Sequence, residues 1–433
     1  MKYNKLTNID DGKYLISNNN IAAISLIDSE QLIMFKLYDW DNKDNVRKFM
    51  YKMGYNEDQI DYKINKFEEK LIKEGWNRTH IPAHNALKLQ LIYLDVTSNC
   101  NYKCVYCYQG TEKVDNSNKY AFLKLDNLKI ILKKIKEISP KCKIVVAGGE
   151  PFLHKDIFKI LDYIEKYGFK FTILTNGSLI NNDYSLRLSK FKNLIDVQIS
   201  VDGINPTTHN LTRGKTFNLT MSGINQIIKY KVPFSLAPTI HSDNLDEIYE
   251  IARFAFLNGG RFSPNILRKF PHCPADGFDF NYDILSDFLK SIERKAIKEF
   301  GKEIFYKEYQ QPIVSNQPNI NQFICGTGYS LINIDWNGDV YPCHLLKNKE
   351  VKLGNIIKDE FDDIFEKSYR LGIRKMSHEI EKCKECDFMT TCRGGCKAAA
   401  YYKYGDFNRE DSICNALYEH QKNLYLDMSK SIK

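Results

Sequence analysis

The chain has 433 residues, enough for two or three separate cores, and 43% of them are apolar, an ordinary share for a soluble protein. Its net charge of +8 is modest and its lysines are scattered, which argues against a nucleic-acid partner. No apolar run approaches the ~20 residues of a membrane span, and MKYNKLTNIDDGKYL has no apolar signal-peptide centre. The expected address is cytoplasmic, where twelve cysteines read as ligands rather than disulfides.

Residues 1–80 read as a small separate unit. KYLISNNNIAAISLID holds two apolar runs broken by Asn18, Asn19 and Asn20, a turn between strands. Asp28 or Ser29 is placed to cap a helix through SEQLIMFKLYD, and VRKFMYKMG gives a second helix closed by Gly54. In a third, Ile60, Ile64, Phe67 and Leu71 recur at helical spacing before Gly75. A hairpin followed by three helices resembles a winged helix, although the mixed charge of the third (Lys63, Lys66, Glu68, Glu69, Lys70) does not suit DNA.

From 87 to 268 strands and helices alternate. LQLIYLDVT, KIVVAGGEP, KFTILTNG, IDVQISVDG, PFSLAPTI and RFSPNILR are the strands, with helical stretches between them. Six such steps predict an α/β fold, a parallel sheet closing into a partial (β/α)6 barrel with its binding residues at the strand ends. The first strand hands over to CNYKCVYC, which sets Cys100, Cys104 and Cys107 in one loop. Three thiolates hold three corners of a [4Fe–4S] cube and leave one iron open. A zinc knuckle or three unrelated core thiols are the bland alternatives. At the second strand end Gly148-Gly149-Glu150-Pro151 combines two glycines, which allow a close backbone approach to a ligand, with an acid expected at the rim. The third strand ends in Thr175-Asn176-Gly177, and the fourth leads into SVDGINPTTHNLTRG with Ser200, Asp202, His209 and Arg213. His209 reads as a structural hydrogen-bond partner.

Residues 269–324 form a bridge, with a helix through NYDILSDFLKSIERKAIKEF and a loop through QQPIVSNQPNINQF. Cys273 reads as a plain surface or core thiol. A second cysteine field fills residues 325–433. Its pattern is CX12GX4C from Cys325 to Cys343, then CX2CX5CX3C through Cys383, Cys386, Cys392 and Cys396, then Cys414. SLINIDWNGDVYP between the first two is a hairpin with an NGD turn. Zinc is again the alternative ligand.

The CX3CX2C loop, GGEP and TNG together resemble the radical S-adenosylmethionine (SAM) enzymes, and the second field resembles their SPASM auxiliary-cluster domain. The resemblance implies that Cys100, Cys104 and Cys107 carry a cluster whose open iron is chelated by the methionyl amine and carboxylate of SAM. Cleavage there yields a 5′-deoxyadenosyl radical. It further implies that Gly148, Gly149 and Glu150 hold the methionyl amine, with Thr175 and Asn176 in the neighbouring turn. Ser200 is expected on the ribose and Arg213 on the methionyl carboxylate, with Asp202 in the same segment; Tyr106 is expected near the adenine. Carried over from SPASM domains, Cys383, Cys386, Cys392 and Cys414 close one auxiliary [4Fe–4S] cluster, and Cys325, Cys343 and Cys396 hold another. That makes three clusters. No fourth cysteine accompanies Cys325, a departure from some relatives that is consistent with an open iron, available to a substrate thiolate or another outside ligand. Sulfatase-maturing relatives carry a basic aspartate directly after the cysteine that corresponds to Cys343, where this chain has His344, which counts against that reaction.

The N-terminal unit is also similar to the domain that binds leader peptides in ribosomal-peptide maturation, by capturing an extended strand along its sheet edge. The expected function is therefore maturation of a ribosomally made precursor peptide, through hydrogen abstraction and formation of a cysteine thioether, as in sactipeptide and ranthipeptide enzymes. A flavodoxin- or ferredoxin-like electron donor is implied. Carbon–carbon crosslinking, decarboxylation and epimerisation are rivals within the family. A zinc-bearing peptide or DNA adaptor is the rival of another class.

Overall fold

The computed structural model describes residues 3, 5–21, 23–79, 89–109, 121–271, 273, 275, 277–308, 325–373 and 379–430. The expected loop at 310–323 lies outside them. At the N-terminus, β1 (Lys5–Asp10), β2 (Lys13–Asn18) and β3 (Ala23–Asp28) form an antiparallel sheet in that order. The middle strand and β3 are the expected hairpin. β1 is an addition, because KLTNID is mostly polar and half exposed and gives no apolar run to read. Three helices follow: α1 (Ser29–Leu37), capped by Asp28 through Gln31 N–H at 2.7 Å, α2 (Asp44–Lys52) and α3 (Glu57–Lys73). Ile60, Ile64, Phe67 and Leu71 all turn inward and meet Phe35, Tyr38 and Trp76 in a core of their own. The opposite face of the sheet is apolar too. Leu15, Ile24 and Leu26 pack on Phe388 of the C-terminal region, so this unit is seated on the second cysteine field.

The central region runs β4 (Leu91–Thr97), α4 (Leu125–Ile138), β5 (Lys143–Gly148), α5 (Ile157–Lys166), β6 (Lys170–Thr175), α6 (Asn182–Leu188) and β7 (Leu194–Ile199). It continues through α7 (Pro206–Arg213), α8 (Phe217–Lys229), β8 (Phe234–Leu236), β9 (Thr239–Ile240), α9 (Leu245–Leu257), β10 (Arg261–Phe262) and β11 (Asn265–Ile266). Strands β4, β5, β6, β7, β8 and β10 pair in parallel in this order, giving the six-strand partial barrel. The last two predicted strands are each broken. Pro238 and Pro264 interrupt them, since proline has no N–H for the ladder, and their distal ends pair separately as β9 and β11. Within SVDGINPTTHNLTRG, Asn205 caps α7, which carries His209 and Arg213.

After α10 (Leu285–Phe300) and α11 (Lys302–Glu308) come β12 (Leu331–Ile334), β13 (Asp339–Tyr341) and β14 (Gly354–Asn355). β12 and β13 are the expected hairpin, turned at Gly338 with φ +90°. β12 also pairs in parallel with β4, Leu331 beside Leu91, so the hairpin together with β14 extends the barrel sheet to nine strands. The rest is helical: α12 (Phe361–Arg370), α13 (Glu381–Lys384), α14 (Met389–Cys392), α15 (Lys397–Tyr404) and α16 (Cys414–Ser429). Among the described residues no helix is long and apolar enough to cross a membrane.

Candidate active site

A cavity of about 500 Å³ opens at the C-terminal ends of the barrel strands, within the size range of small-molecule and cofactor sites. Cys100, Cys104 and Cys107 lie on its wall, with Gly148, Gly149, Thr175, Asn176, Ser200, Tyr106 and Arg213 of the expected set. The loop is held from two sides. Val105 N–H donates to Thr212 O at 3.0 Å, and Cys107 N–H to Cys104 O at 3.2 Å. Donors also point at the sulfurs: Tyr102 N–H lies 3.4 Å from Cys100 Sγ, Asn176 Nδ2 4.0 Å from the same atom, and Arg213 Nη1 3.9 Å from Cys104 Sγ. Burial pushes the thiols of Cys100 and Cys104 up to about 12 and about 11. Without a soft cation such thiols stay protonated, so a cluster that takes them as thiolates fits this wall.

The two glycines line the cavity and also serve a close approach within the chain. A side chain at Gly148 would meet Thr97 O at 2.2 Å, and one at Gly149 would meet Asn99 O at 2.1 Å. Their bareness lets the end of β5 lie against the start of the cysteine loop, where Gly149 N–H and Glu150 N–H bond Thr97 O and Asn99 O. Glu150 is not at the rim. It is fully buried, and its carboxylate accepts from Thr175 Oγ1 (2.8 Å), Asn176 N–H (2.8 Å) and Phe152 N–H (3.1 Å), although burial raises it to about 7. It fixes the Thr175-Asn176 turn that faces the cavity. Asp202 is likewise fully buried. It accepts from Arg213 Nε at 2.7 Å, Arg213 Nη2 at 3.3 Å, Thr212 Oγ1 at 2.7 Å, Thr239 N–H at 2.9 Å and the Tyr106 hydroxyl. Burial opposes its charge, yet the Arg213 guanidinium and these donors hold its carboxyl below the usual range. Tyr106 and Arg213 are thus locked to one carboxylate, the ring 5.5 Å from the guanidinium. His209 is structural as expected, buried and held near 4 mainly by burial.

The second field closes the cavity from the other side. Cys392 and Cys396 reach its wall, as do His344, Arg268 and Asp411. His344 stacks on Tyr93 at 4.1 Å and meets Tyr108 edge-on at 5.3 Å; burial lowers it to about 4, so it is neutral and a weak base. The thiols fall into two neighbourhoods. Cys343 is raised by burial and then by Cys325 and Cys396. Cys392 is raised by burial and then by Cys386, Cys383 and Cys414. A second cavity of about 250 Å³ is lined by those last four cysteines. The two cavities share Cys392, Asp411 and Leu417 as a common wall. Sequence reasoning missed Tyr93, Gln198, Arg268 and Asp411, which sit in stretches without a motif. Cys273, read as a surface or core thiol, is buried and reaches the main cavity wall.

Comparison with known proteins agrees with this geometry. The radical SAM superfamily pattern matches residues 94–255, and the SPASM iron–sulfur cluster-binding domain matches residues 325–387. The chain is a radical SAM enzyme with a SPASM domain, and it uses SAM and [4Fe–4S] clusters. Relatives of this family include peptide and protein maturases as well as heme synthases. It is 28% identical to the antilisterial bacteriocin subtilosin biosynthesis protein AlbA of Bacillus subtilis (strain 168), over 74% of this chain and 68% of that protein. It is 27% identical to the AdoMet-dependent heme synthase of Methanosarcina barkeri, over 75% of this chain and 96% of that one. A cysteine-type anaerobic sulfatase-maturating enzyme of Clostridium novyi is 25% identical over 76% and 93%. In fold, the chain is similar to Streptococcus suis SuiB bound to precursor peptide SuiA, with a TM-score of 0.62, 17% identity, and coverage of 94% of this chain and 98% of that one.

Proposed function

We propose that the enzyme matures a ribosomally made precursor peptide by joining a cysteine sulfur to a substrate carbon as a thioether. The observation that carries this is the meeting of both cysteine fields on one cavity, Cys100, Cys104 and Cys107 with Cys392 and Cys396, together with the grouping of only two further thiols, Cys325 and Cys396, about Cys343. When bound, SAM and its cluster supply the hydrogen-abstracting radical, and the auxiliary clusters supply a sulfur site and an electron sink. In this reading Cys100, Cys104 and Cys107 hold the first cluster, and Asn176 and Arg213 donate towards its sulfurs. Gly148, Gly149 and Ser200 border the bound SAM, while Asp202 keeps Tyr106 and Arg213 in place beside it. Glu150 acts through the Thr175-Asn176 turn rather than by touching the methionyl amine. Cys383, Cys386, Cys392 and Cys414 hold one auxiliary cluster; Cys325, Cys343 and Cys396 hold the other with an open iron.

The peptide reading draws on the N-terminal unit. SuiB's 94% coverage leaves too few residues out to omit that unit, which supports a fold made for a peptide partner. Among the described residues β1 pairs on one side alone, with β2, and its other edge offers backbone groups to an added leader strand. AlbA's name ties a relative to bacteriocin biosynthesis. Formylglycine formation is the weaker reading, because His344 is packed between two tyrosines and is a poor base.

The balance of the thioether step is loss of one C–H and one S–H hydrogen for each C–S bond. Anaerobic co-expression with a cysteine-containing precursor tests it. The peptide should lose one hydrogen pair and one alkylatable thiol per link. Hydrogen loss with every thiol still free replaces the thioether with a carbon–carbon link or an oxidation.

A further inference from the structure

Two guanidiniums reach the main cavity, and they are held differently. Arg213 spends Nε and Nη2 on the two oxygens of Asp202, and its remaining Nη1 faces Cys104. Arg268 follows β11 at the barrel mouth and gives Nη1 to Asp411 Oδ1 at 2.6 Å. Among the described residues that is its one hydrogen bond. Asp411 cannot turn to take more of it. Its Oδ2 accepts from Cys396 N–H at 2.6 Å and its Oδ1 from Ile413 N–H at 3.0 Å. Gly395 leaves the room this needs, since a side chain there would come 2.4 Å from Asp411 Cβ.

A guanidinium carries five N–H donors in a rigid fork, so Arg268 turns a largely unspent fork towards an enclosed space. Its side chain is 17% exposed. Asp411 is the sole carboxylate among the described lining residues, against two arginines. A planar acceptor anion is what such a fork fits, and away from bulk water the pairing is selective. The position is also informative. The charges nearest Arg268 are Asp411 and Cys396, whereas those nearest Arg213 are Asp202, Tyr106 and Cys104. The two cations therefore sit in different neighbourhoods of the cavity wall, Arg268 beside the second cysteine field and Arg213 beside the first.

We propose that Arg268 anchors a carboxylate of the substrate peptide, beside the second cysteine field, and so selects peptides with an acidic group close to the modified residue. This rests on the maturase reading above. The carboxylate has two sources, an aspartate or glutamate side chain and the C-terminus of a short core, and the test separates them.

The test takes the precursor that the holoenzyme modifies and replaces each Asp and Glu of its core singly by the amide, with a further version amidated at the C-terminus. One version should lose about 10- to 100-fold in kcat/KM, mostly through KM, as expected for one charge-assisted pair. R268Q should lose a similar factor on the parent peptide, and the two losses should not multiply. R268K should recover only part, because an ammonium lacks the fork. Coupling to a side-chain amide assigns the carboxylate to that residue; coupling to the amidated terminus assigns it to the C-terminus. Losses that multiply, together with iron lost from R268Q, overturn the anchor and make Arg268 a brace for Asp411. A modified parent peptide with no amide-sensitive position strikes the anchor alone. A precursor mass that never changes strikes the maturase reading itself, and the anchor with it.

Discussion

The two cysteine fields reach the same cavity by different routes. Cys100, Cys104 and Cys107 belong to one loop of eight residues, CNYKCVYC, and its supports come from the adjoining strand ends and α7. The second field is gathered from Cys325 to Cys414, across a hairpin, three short helices and the start of α16. It leans on the N-terminal sheet as well, through Phe388 and the Asn19 side chain. A loop of the first kind is poised before any metal arrives. The second kind needs the tertiary fold to bring its thiols together, so metal binding and folding are coupled there.

The sharpest way to separate the two is to remove one thiol from each. Cys100→Ala should abolish SAM cleavage, by more than about a thousandfold, while iron content falls by only about a third, one cube of three. Retained cleavage would overturn the assignment of the loop. The mirror change, Cys383→Ala, should cost a similar share of iron but abolish peptide modification instead, with cleavage falling far less. Equal loss of both activities in the two variants would mean that the fields do not act separately. A smaller effect comes from the clamp behind the first loop. Asp202→Asn leaves Arg213 buried without its counter-charge and should destabilise the fold by about 3 kcal/mol, read as a lower unfolding midpoint. An unchanged midpoint would show that Tyr106 and Arg213 are held by something else.

The same contrast decides what could be read beforehand. The first loop, GGEP and TNG were legible because chemistry and spacing sit within a few residues of each other. The glycines have a second neighbour that the motif did not reveal: only the structure shows that a side chain at Gly148 or Gly149 would meet Thr97 or Asn99. The proposed grouping of the auxiliary thiols came from the family pattern; in the structure Cys325 and Cys396 act on Cys343, and Cys386, Cys383 and Cys414 act on Cys392. Arg268 was invisible, because its meaning depends on Asp411, 143 positions away. β1 was missed for a simpler reason: a polar edge strand carries no apolar alternation.

The smallest effect tests whether the second field depends on the N-terminal unit. Asn19, in the turn between β2 and β3, donates its side-chain amide to Lys384 O at 2.8 Å and Cys386 O at 3.2 Å. Those carbonyls belong to the segment that carries Cys383 and Cys386. In the proposed assignment thiolate–iron bonds from Cys383 and Cys386 hold this segment in the iron-loaded enzyme, and Asn19→Ala should there lower stability by less than about 1 kcal/mol. With the iron removed, the amide and the apolar contact with Phe388 are what keep the segment docked. The same substitution should then cost about 1–2 kcal/mol, because two half-buried hydrogen bonds are lost, and cluster reconstitution should slow. Melting the loaded and stripped forms of both proteins gives the comparison directly. An equal shift in the two forms would mean that the segment holds its own shape, and that the N-terminal sheet merely rests on it.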